Sequence, residues 1–179
     1  MFVRKLFAGV AAAAALLGGM SLAGPASAAA QPSAYAQQAR AAGLTVAQTG
    51  RLRDEVDVYV AAHPGTRQLS ANKLATDFGT VTVTAPGQTQ ARDLAAPGVA
   101  LACGSGHLCI TDGRGYLYDY YRCGTYGFGG YGTGSFNNNQ TWGTTAWFYN
   151  ADQTVRFYHT AKGSSSNVDW NPVTYIRPC

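Results

Sequence analysis

From Cys103 to Cys179 the chain has no glutamate, and its only carboxylates there are Asp112, Asp119, Asp152 and Asp169. So few ionisable groups leave acid–base catalysis little to work with. The 179 residues contain no G-x-S-x-G and no H-E-x-x-H, the spacings of a serine-hydrolase elbow and a zinc-protease helix. Cys-x-x-Cys is absent, and His63, His107 and His159 are scattered, so zinc-ligand spacing is missing too. No block of Lys and Arg is present, which argues against nucleic acid or acidic lipid as a partner. A glycosidase-type carboxylate pair has only Asp112 and Asp119 to draw on, and a turn and an adjacent strand make them read as solvated surface charges. The sequence thus predicts a protein that is not an enzyme.

What is present starts with an export signature. Arg4 and Lys5 precede an alanine-rich apolar run from Leu6 to Leu17, and Ala26-Ser27-Ala28 supplies a small-x-small cleavage pattern. The run falls short of the roughly 20 residues that span a bilayer. Residues 1–28 are therefore expected to be a cleaved signal peptide, and the product to be secreted and extracellular. Loss of Arg4 and Lys5 lowers the formal charge from +4 to +2. In an oxidising compartment four cysteines in a short domain read as two disulfides before they read as a metal site.

After the signal, residues 29–43 are Ala/Gln-rich and predict a disordered leader. Residues 44–85 predict a small α+β unit. Thr45-Val46-Ala47-Gln48 fits a capping box, and Leu52, Val56, Tyr59 and Val60 form an apolar stripe at helical spacing before His63-Pro64-Gly65 stops it. From Thr66 to Thr84 the pattern is a hairpin that turns at Asp77-Phe78-Gly79. Residues 86–101 read as an Ala/Pro/Gly/Gln linker, so this unit is expected to be a pro-region or accessory piece, clipped near Arg92-Asp93.

The last region, 102–179, holds Cys103, Cys109, Cys123 and Cys179. At this size a single core seldom supplies more than about 3–5 kcal/mol, so bridges should matter. Of three possible connectivities, Cys103–Cys109 with Cys123–Cys179 is favoured, and the crossed pairings stay open. Strand candidates are Leu108 to Thr111, Tyr116 to Arg122, Thr145 to Tyr149, Thr154 to His159 and Val173 to Ile176, with Asp112-Gly113-Arg114-Gly115 as a hairpin turn. Short strands with glycine turns predict a mainly β sandwich or small barrel.

Two segments carry a resemblance. Cys103-Gly-Ser-Gly-His-Leu-Cys109-Ile followed by Tyr121-Arg122-Cys123-Gly124, and Asn137-Asn138-Asn139-Gln140-Thr141 with Trp147-Phe148-Tyr149-Asn150, resemble secreted actinobacterial proteins grouped with the Streptomyces metalloproteinase-inhibitor family. The resemblance spans about Ala102 to Cys179. It implies a βγ-crystallin-like pair of Greek keys, preceded here by the helix-plus-hairpin unit. It also implies inhibition of an extracellular protease, with the Gly104–His107 and Gly127–Gly134 loops as the candidates to enter a cleft. In that fold a paired Asn followed by hydroxyls can hold calcium, so Asn138, Asn139 and Thr141 are the implied site. It would be weak, because carboxylates are missing and Trp142 stands where a second serine is expected. The Asn run also reads as a turn whose side chains bond their own backbone. No other cofactor is expected.

The aromatics point to a partner surface. Phe128, Tyr131, Trp142 and Trp147 are the candidate contacts, and the glycine-flanked Phe128 and Tyr131 are expected to be exposed. The function that follows is a secreted, monomeric binding protein, a protease inhibitor on one reading. On the other it is a cell-wall or glycan-binding module, or a killer-toxin-like effector, that stacks cell-wall polysaccharide on Trp142, Trp147 or Tyr131.

Overall fold

The computed structural model describes residues 31–99 and 101–179, so the signal expected at 1–28 lies outside the described residues. Helix α1 (Gln31–Ala41) occupies the segment for which composition predicted no order. Alanine and glutamine are good helix formers, and tertiary contacts complete what propensity starts. Ala39 is buried, Tyr35 Oη donates to Gln68 O at 3.2 Å, and Gln38 Oε1 accepts Ala71 N–H at 2.6 Å. Helix α2 (Val46–Ala62) begins as its sequence requires. Thr45 Oγ1 accepts Gln48 N–H at 3.2 Å, and Gln48 Oε1 accepts Thr45 N–H at 2.9 Å. Its stripe of Leu52, Val56 and Tyr59 is buried, with Val60 partly covered beside them. Among the described residues no helix is long and apolar enough to cross a membrane.

Eleven strands follow among the described residues: β1 (Arg67–Gln68), β2 (Lys73–Ala75), β3 (Gly79–Thr82), β4 (His107–Thr111), β5 (Leu117–Tyr120), β6 (Tyr126–Gly127), β7 (Thr133–Asn139), β8 (Thr145–Tyr149), β9 (Val155–Thr160), β10 (Gly163–Asp169) and β11 (Tyr175–Arg177). They form two antiparallel sheets, one in the order β1-β2-β3-β5-β4-β7-β10 and the other β6-β11-β8-β9. The order records an exchange. Of β4 to β7, the third strand, β6, leaves for the smaller sheet. Of β8 to β11, the third strand, β10, joins the larger one. Each sheet is thus built from both halves, and the residues facing inward make one core. Trp170, Phe148, Ile110, Leu108 and Ile176 are fully enclosed, and Trp170 Nε1 donates to Thr111 O at 3.0 Å.

Both disulfides fall as favoured, Cys103 with Cys109 and Cys123 with Cys179. The expected strands are present within a few residues, but β6, β7 and β10 were not anticipated. Strand β7 reads Thr-Gly-Ser-Phe-Asn-Asn-Asn and β10 reads Gly-Ser-Ser-Ser-Asn-Val-Asp, compositions depleted in strand formers. Pairing to β4 and to each other holds them, which corrects the reading of the Asn run as a turn.

The helix-plus-hairpin unit is not a free-standing appendage. Strand β3 pairs with β5, from Gly79 opposite Tyr120 to Thr82 opposite Leu117, so the hairpin extends the larger sheet. A side chain at Gly79 would strike the carbonyl of Asp119, and φ is +155° there, so glycine lets the two strands meet. Tyr116 Oη donates to Glu55 Oε2 at 3.1 Å, fastening α2 to β5's approach. The expected linker is a fixed strap. Asn72 Nδ2 donates to Val83 O and to Arg92 O, both at 2.7 Å, and its Oδ1 accepts Leu94 N–H at 3.1 Å. Asp93 accepts Ser70 Oγ and lies 3.6 Å from Lys73 Nζ, while Leu94 is buried. Proteolysis at Arg92-Asp93 would first have to release these bonds.

Candidate functional site

In the smaller sheet strand alternation sends successive side chains to opposite faces. Ala146, Phe148 and Ile176 point inward and are fully buried. Their neighbours Trp147, Tyr149, Tyr175 and Arg177 take the other face, opposite partners set by register: Arg177 beside Trp147, Trp147 beside Tyr158, and Tyr175 beside Tyr149. The result is a row of rings. Trp147 and Tyr158 lie 5.0 Å apart, centroid to centroid, and the Arg177 guanidinium sits 5.3 Å from the Trp147 ring. Tyr158, at 62 %, is exposed, and Trp147, Tyr149, Tyr175 and Arg177 are half-buried.

At one end of the row a cavity of about 330 Å³ is lined by Thr125, Gly127, Tyr149, Gln153 and Tyr175. Gly127 forms its open side: a Cβ placed there would meet nothing within 4 Å. The β8–β9 turn beside it is held by hydrogen bonds within itself. Asp152 Oδ1 accepts Thr154 N–H at 3.0 Å and Thr154 Oγ1 at 2.7 Å, and these bonds hold its carboxyl below the ordinary aspartate range. Gln153 takes a positive φ of 64° within that turn. Arg156 is exposed and is the extra residue of a bulge, because Tyr149 pairs with Val155 while Phe148 pairs with Phe157.

The anticipated contact residues scatter. Trp147 lies on this face. Trp142, 76 % exposed, stands alone in the β7–β8 turn. Tyr131 is 53 % exposed on another side, with the Arg114 guanidinium 4.5 Å from its ring centroid. Phe128 is corrected: it is only 7 % exposed and packs edge-on against Trp170 at 5.4 Å and Tyr118 at 5.0 Å. Its glycine neighbours allow the chain to fold that ring under itself, so the loop's composition misled. Tyr149, Tyr158, Tyr175 and Arg177 were not anticipated. Alternation along Thr145–Tyr149 carried the signal, once β11 was known to lie alongside.

The calcium site implied by resemblance does not fit the residues present. Asn138 is buried in β7. Its Oδ1 accepts Gln140 Nε2 at 3.0 Å, and its Nδ2 donates to His159 O at 2.9 Å. Asn139 Nδ2 spans the Cys103 and Gly104 carbonyls at 3.0 and 3.1 Å. Thr141 is exposed, and no carboxylate joins them. These amides bind protein instead of an ion. Among the described residues no three His, Cys, Asp or Glu side chains cluster as a metal site would require.

Asp112 is also corrected, from solvated surface charge to buried anchor. Its Oδ1 accepts the N–H groups of Arg114 and Tyr116 at 3.0 Å each. Its Oδ2 accepts Arg114 Nε at 2.8 Å, Nη2 at 2.7 Å and Tyr118 Oη at 3.3 Å. Burial works against the Arg114 charge, but Tyr118 and Asp112 outweigh it and hold the guanidinium protonated more firmly than usual. Asp119 is occupied elsewhere, 2.6 Å from His107 Nδ1, so the two aspartates form no pair.

A larger cleft, about 690 Å³, lies where the end of α2 meets β6, lined by Tyr59, His63, Asp77, Arg122, Tyr126 and Tyr175 among others. Its polar groups largely satisfy one another. Arg122 Nη1 donates to Asp77 O at 3.2 Å, and His63 Nδ1 lies 2.8 Å from Tyr59 O. No family model, curated protein or solved structure matches the chain.

Proposed function

We propose that the protein is a secreted, non-enzymatic binding module that holds cell-wall polysaccharide on the outer face of the smaller sheet. One observation carries the reading: Tyr158, Trp147, Tyr149 and Tyr175 share one face of the smaller sheet, half-buried to exposed among the described residues, with a glycine-bordered cavity at its end. Aromatic rings combine large rigid apolar area with polar edges, which suits a pyranose that offers C–H groups on its faces and hydroxyls around its rim. A sheet holds the rings in place before the ligand arrives, so little side-chain entropy is lost on docking. Two disulfides support export to an oxidising compartment. The exchange of β6 and β10 between sheets supports the βγ-crystallin-like assignment.

A second reading, protease inhibition, draws on the disulfide-closed Gly104–His107 loop, where Ser105 and Gly106 are exposed. Asn139 and the Gly106 N–H bond to Asn139 O at 2.9 Å clamp that loop to the sheet, which limits what it can present to a cleft. The decisive experiment measures retention of the purified protein on insoluble chitin, glucan and peptidoglycan beside its Trp147→Ala variant. The same samples are titrated against thermolysin-like and serine proteases. Retention lost with Trp147, and no slowing of either protease at micromolar excess, is the expected result. Absence of retention on every polymer overturns the polysaccharide reading.

A further inference from the structure

Among the described residues Arg177 is the arginine whose Nε is buried without a hydrogen-bond partner, and several other arginines are tied down by named groups. Arg114 is locked to Asp112, Arg122 to the Asp77 carbonyl, Arg53 to Asp57 and Arg92 to Gln88. Among the described residues Arg177 has no carboxylate within salt-bridge distance and no side-chain hydrogen bond. Its Nε is buried without a partner, although a guanidinium offers five N–H donors and a buried polar atom is normally satisfied. The stack on Trp147 fixes the group's position without using those donors.

Its surroundings are one-sided. Strands β6, β8, β9 and β11 contain no aspartate or glutamate, and the half-buried Arg177 is joined by an exposed cation, Arg156, at the bulge. The nearby turn carboxylate, Asp152, is engaged by Thr154. The buried Nε is closed to a ligand, so the outer Nη1 and Nη2 donors, beside the ring row and on strands without Asp or Glu, are the pair complementary to a planar acceptor carried on a sugar ring.

We propose that this face selects glycans bearing a carboxylate on the sugar, with Arg177 receiving the carboxylate while Trp147 and Tyr158 take the ring. The proposal rests on the polysaccharide reading above and gives it a substrate class. An uncharged glucan would offer the Arg177 Nη1 and Nη2 groups no anionic partner, whereas a uronate or a lactyl-ether amino sugar would.

The test uses the intact secreted protein in affinity electrophoresis through gels containing polygalacturonate, neutral dextran or dextran sulfate, at two salt concentrations. Wild type should be retarded by polygalacturonate and little by dextran. Arg177→Gln should weaken that retardation roughly tenfold, the effect of losing a hydrogen bond to a charged group. Arg177→Lys keeps the charge but not the fork, and should recover only part of the loss. Melting curves of each variant establish that the fold persists, and Arg156→Gln serves as a second, fully exposed charge removal. Equal retardation by dextran and polygalacturonate, untouched by Arg177→Gln, overturns the carboxylate proposal while leaving the polysaccharide reading intact. Retardation by dextran sulfate as strong as by polygalacturonate, and equally sensitive to both arginine variants, reduces the face to general charge attraction and also overturns it. No retardation by any of these three polymers overturns the carboxylate proposal, while the polysaccharide reading falls only if retention on chitin, glucan and peptidoglycan is absent as well.

Discussion

Along β8, Ala146 and Phe148 enter the core, while Trp147 and Tyr149, each one residue further on, lie half-buried on the opposite face. Both faces of the smaller sheet are aromatic. Inside, Phe148 stacks on Phe157 at 4.2 Å and both lie near Trp170, at 5.7 and 6.3 Å. Outside, Trp147 meets Tyr158 at 5.0 Å and an arginine, and Tyr149 faces a cavity. The rings differ in their polar equipment. The inner face is phenylalanine, which buries without needing a partner, and the outer face is tyrosine and tryptophan, whose O–H and N–H groups need water or a ligand. Aromatic content therefore says little by itself: a tyrosine or tryptophan enters the core where a partner such as the Thr111 carbonyl or Asp112 awaits its N–H or O–H, and strand alternation sends Trp147 and Tyr149 to the other face.

The sharpest break in that comparison is a pair of single substitutions. Phe148→Ala should cost about 3–5 kcal/mol of stability, because it removes transfer energy and leaves a cavity among close-packed rings. Trp147→Ala should cost no more than about 1.5 kcal/mol, the range of an aromatic pair, while removing polysaccharide retention. Urea unfolding followed by far-UV circular dichroism measures both. A Trp147→Ala loss equal to that of Phe148→Ala would make the outer row structural.

The two disulfides divide in the same way. Cys179 lies just beyond β11, which carries Arg177 and sits between β6 and β8, and ties the end of that strand to Cys123, ahead of β6. Replacing Cys123 and Cys179 by Ser together should cost about 4 kcal/mol by loop-closure entropy and should abolish binding by loosening β11. Replacing Cys103 and Cys109 should cost about 2 kcal/mol, since their loop is short, and should leave retention unchanged. Thermal melts with parallel binding assays separate the two. Binding lost equally in both variants would detach the function from this face.

How much of this could be read from the sequence depends on which physical signal each residue carried. The α2 cap was legible because Thr45 and Gln48 act locally, across three residues. The pairing of Cys103 with Cys109 was half legible: their closeness in the chain favoured it over the crossed pairings without excluding them, and the structure shows it. Strands β7 and β10 were not legible, since Asn137–Asn139 and Ser164–Ser166 have no strand preference and are held by register with β4 and with each other. The site was half legible. Trp147 drew attention as a tryptophan, whereas Arg177 lies thirty residues away and becomes its neighbour only through β11–β8 pairing. Asp112 misled because a turn aspartate is usually wet, and here Tyr118 and Arg114 enclose it.

High pH acts on the inner side. Burial, reinforced by Asp112, raises the Tyr118 hydroxyl far above its ordinary pKa of 10, and burial raises those of Tyr120 and Tyr59 in the same direction. A folded-state pKa above the unfolded one means that stability is fully present below about pH 10 and declines as pH rises beyond it. Tyrosinate absorbance and circular dichroism followed together from pH 8 upward should show these tyrosines ionising only as the fold is lost. Complete tyrosine titration near pH 10 with intact ellipticity would contradict their enclosure.

The smallest effect on stability is the most specific for the outer face. Gly127 lies in β6, at the edge of the smaller sheet, without a positive φ and with open space where a Cβ would stand. Gly127→Ala meets no steric objection and narrows the unfolded ensemble, so it should change stability by less than about 1 kcal/mol, in the stabilising direction. The added methyl nevertheless enters the cavity between Tyr149 and Tyr175, and Gly127→Val would fill more of it. If a sugar ring occupies that space, affinity should fall stepwise from Gly to Ala to Val while the melting temperature holds or rises. Isothermal titration with the best-retained oligosaccharide reads the first quantity and calorimetric melting the second. A Val variant that binds as the wild type does would confine the ligand to the Trp147–Tyr158 end of the row.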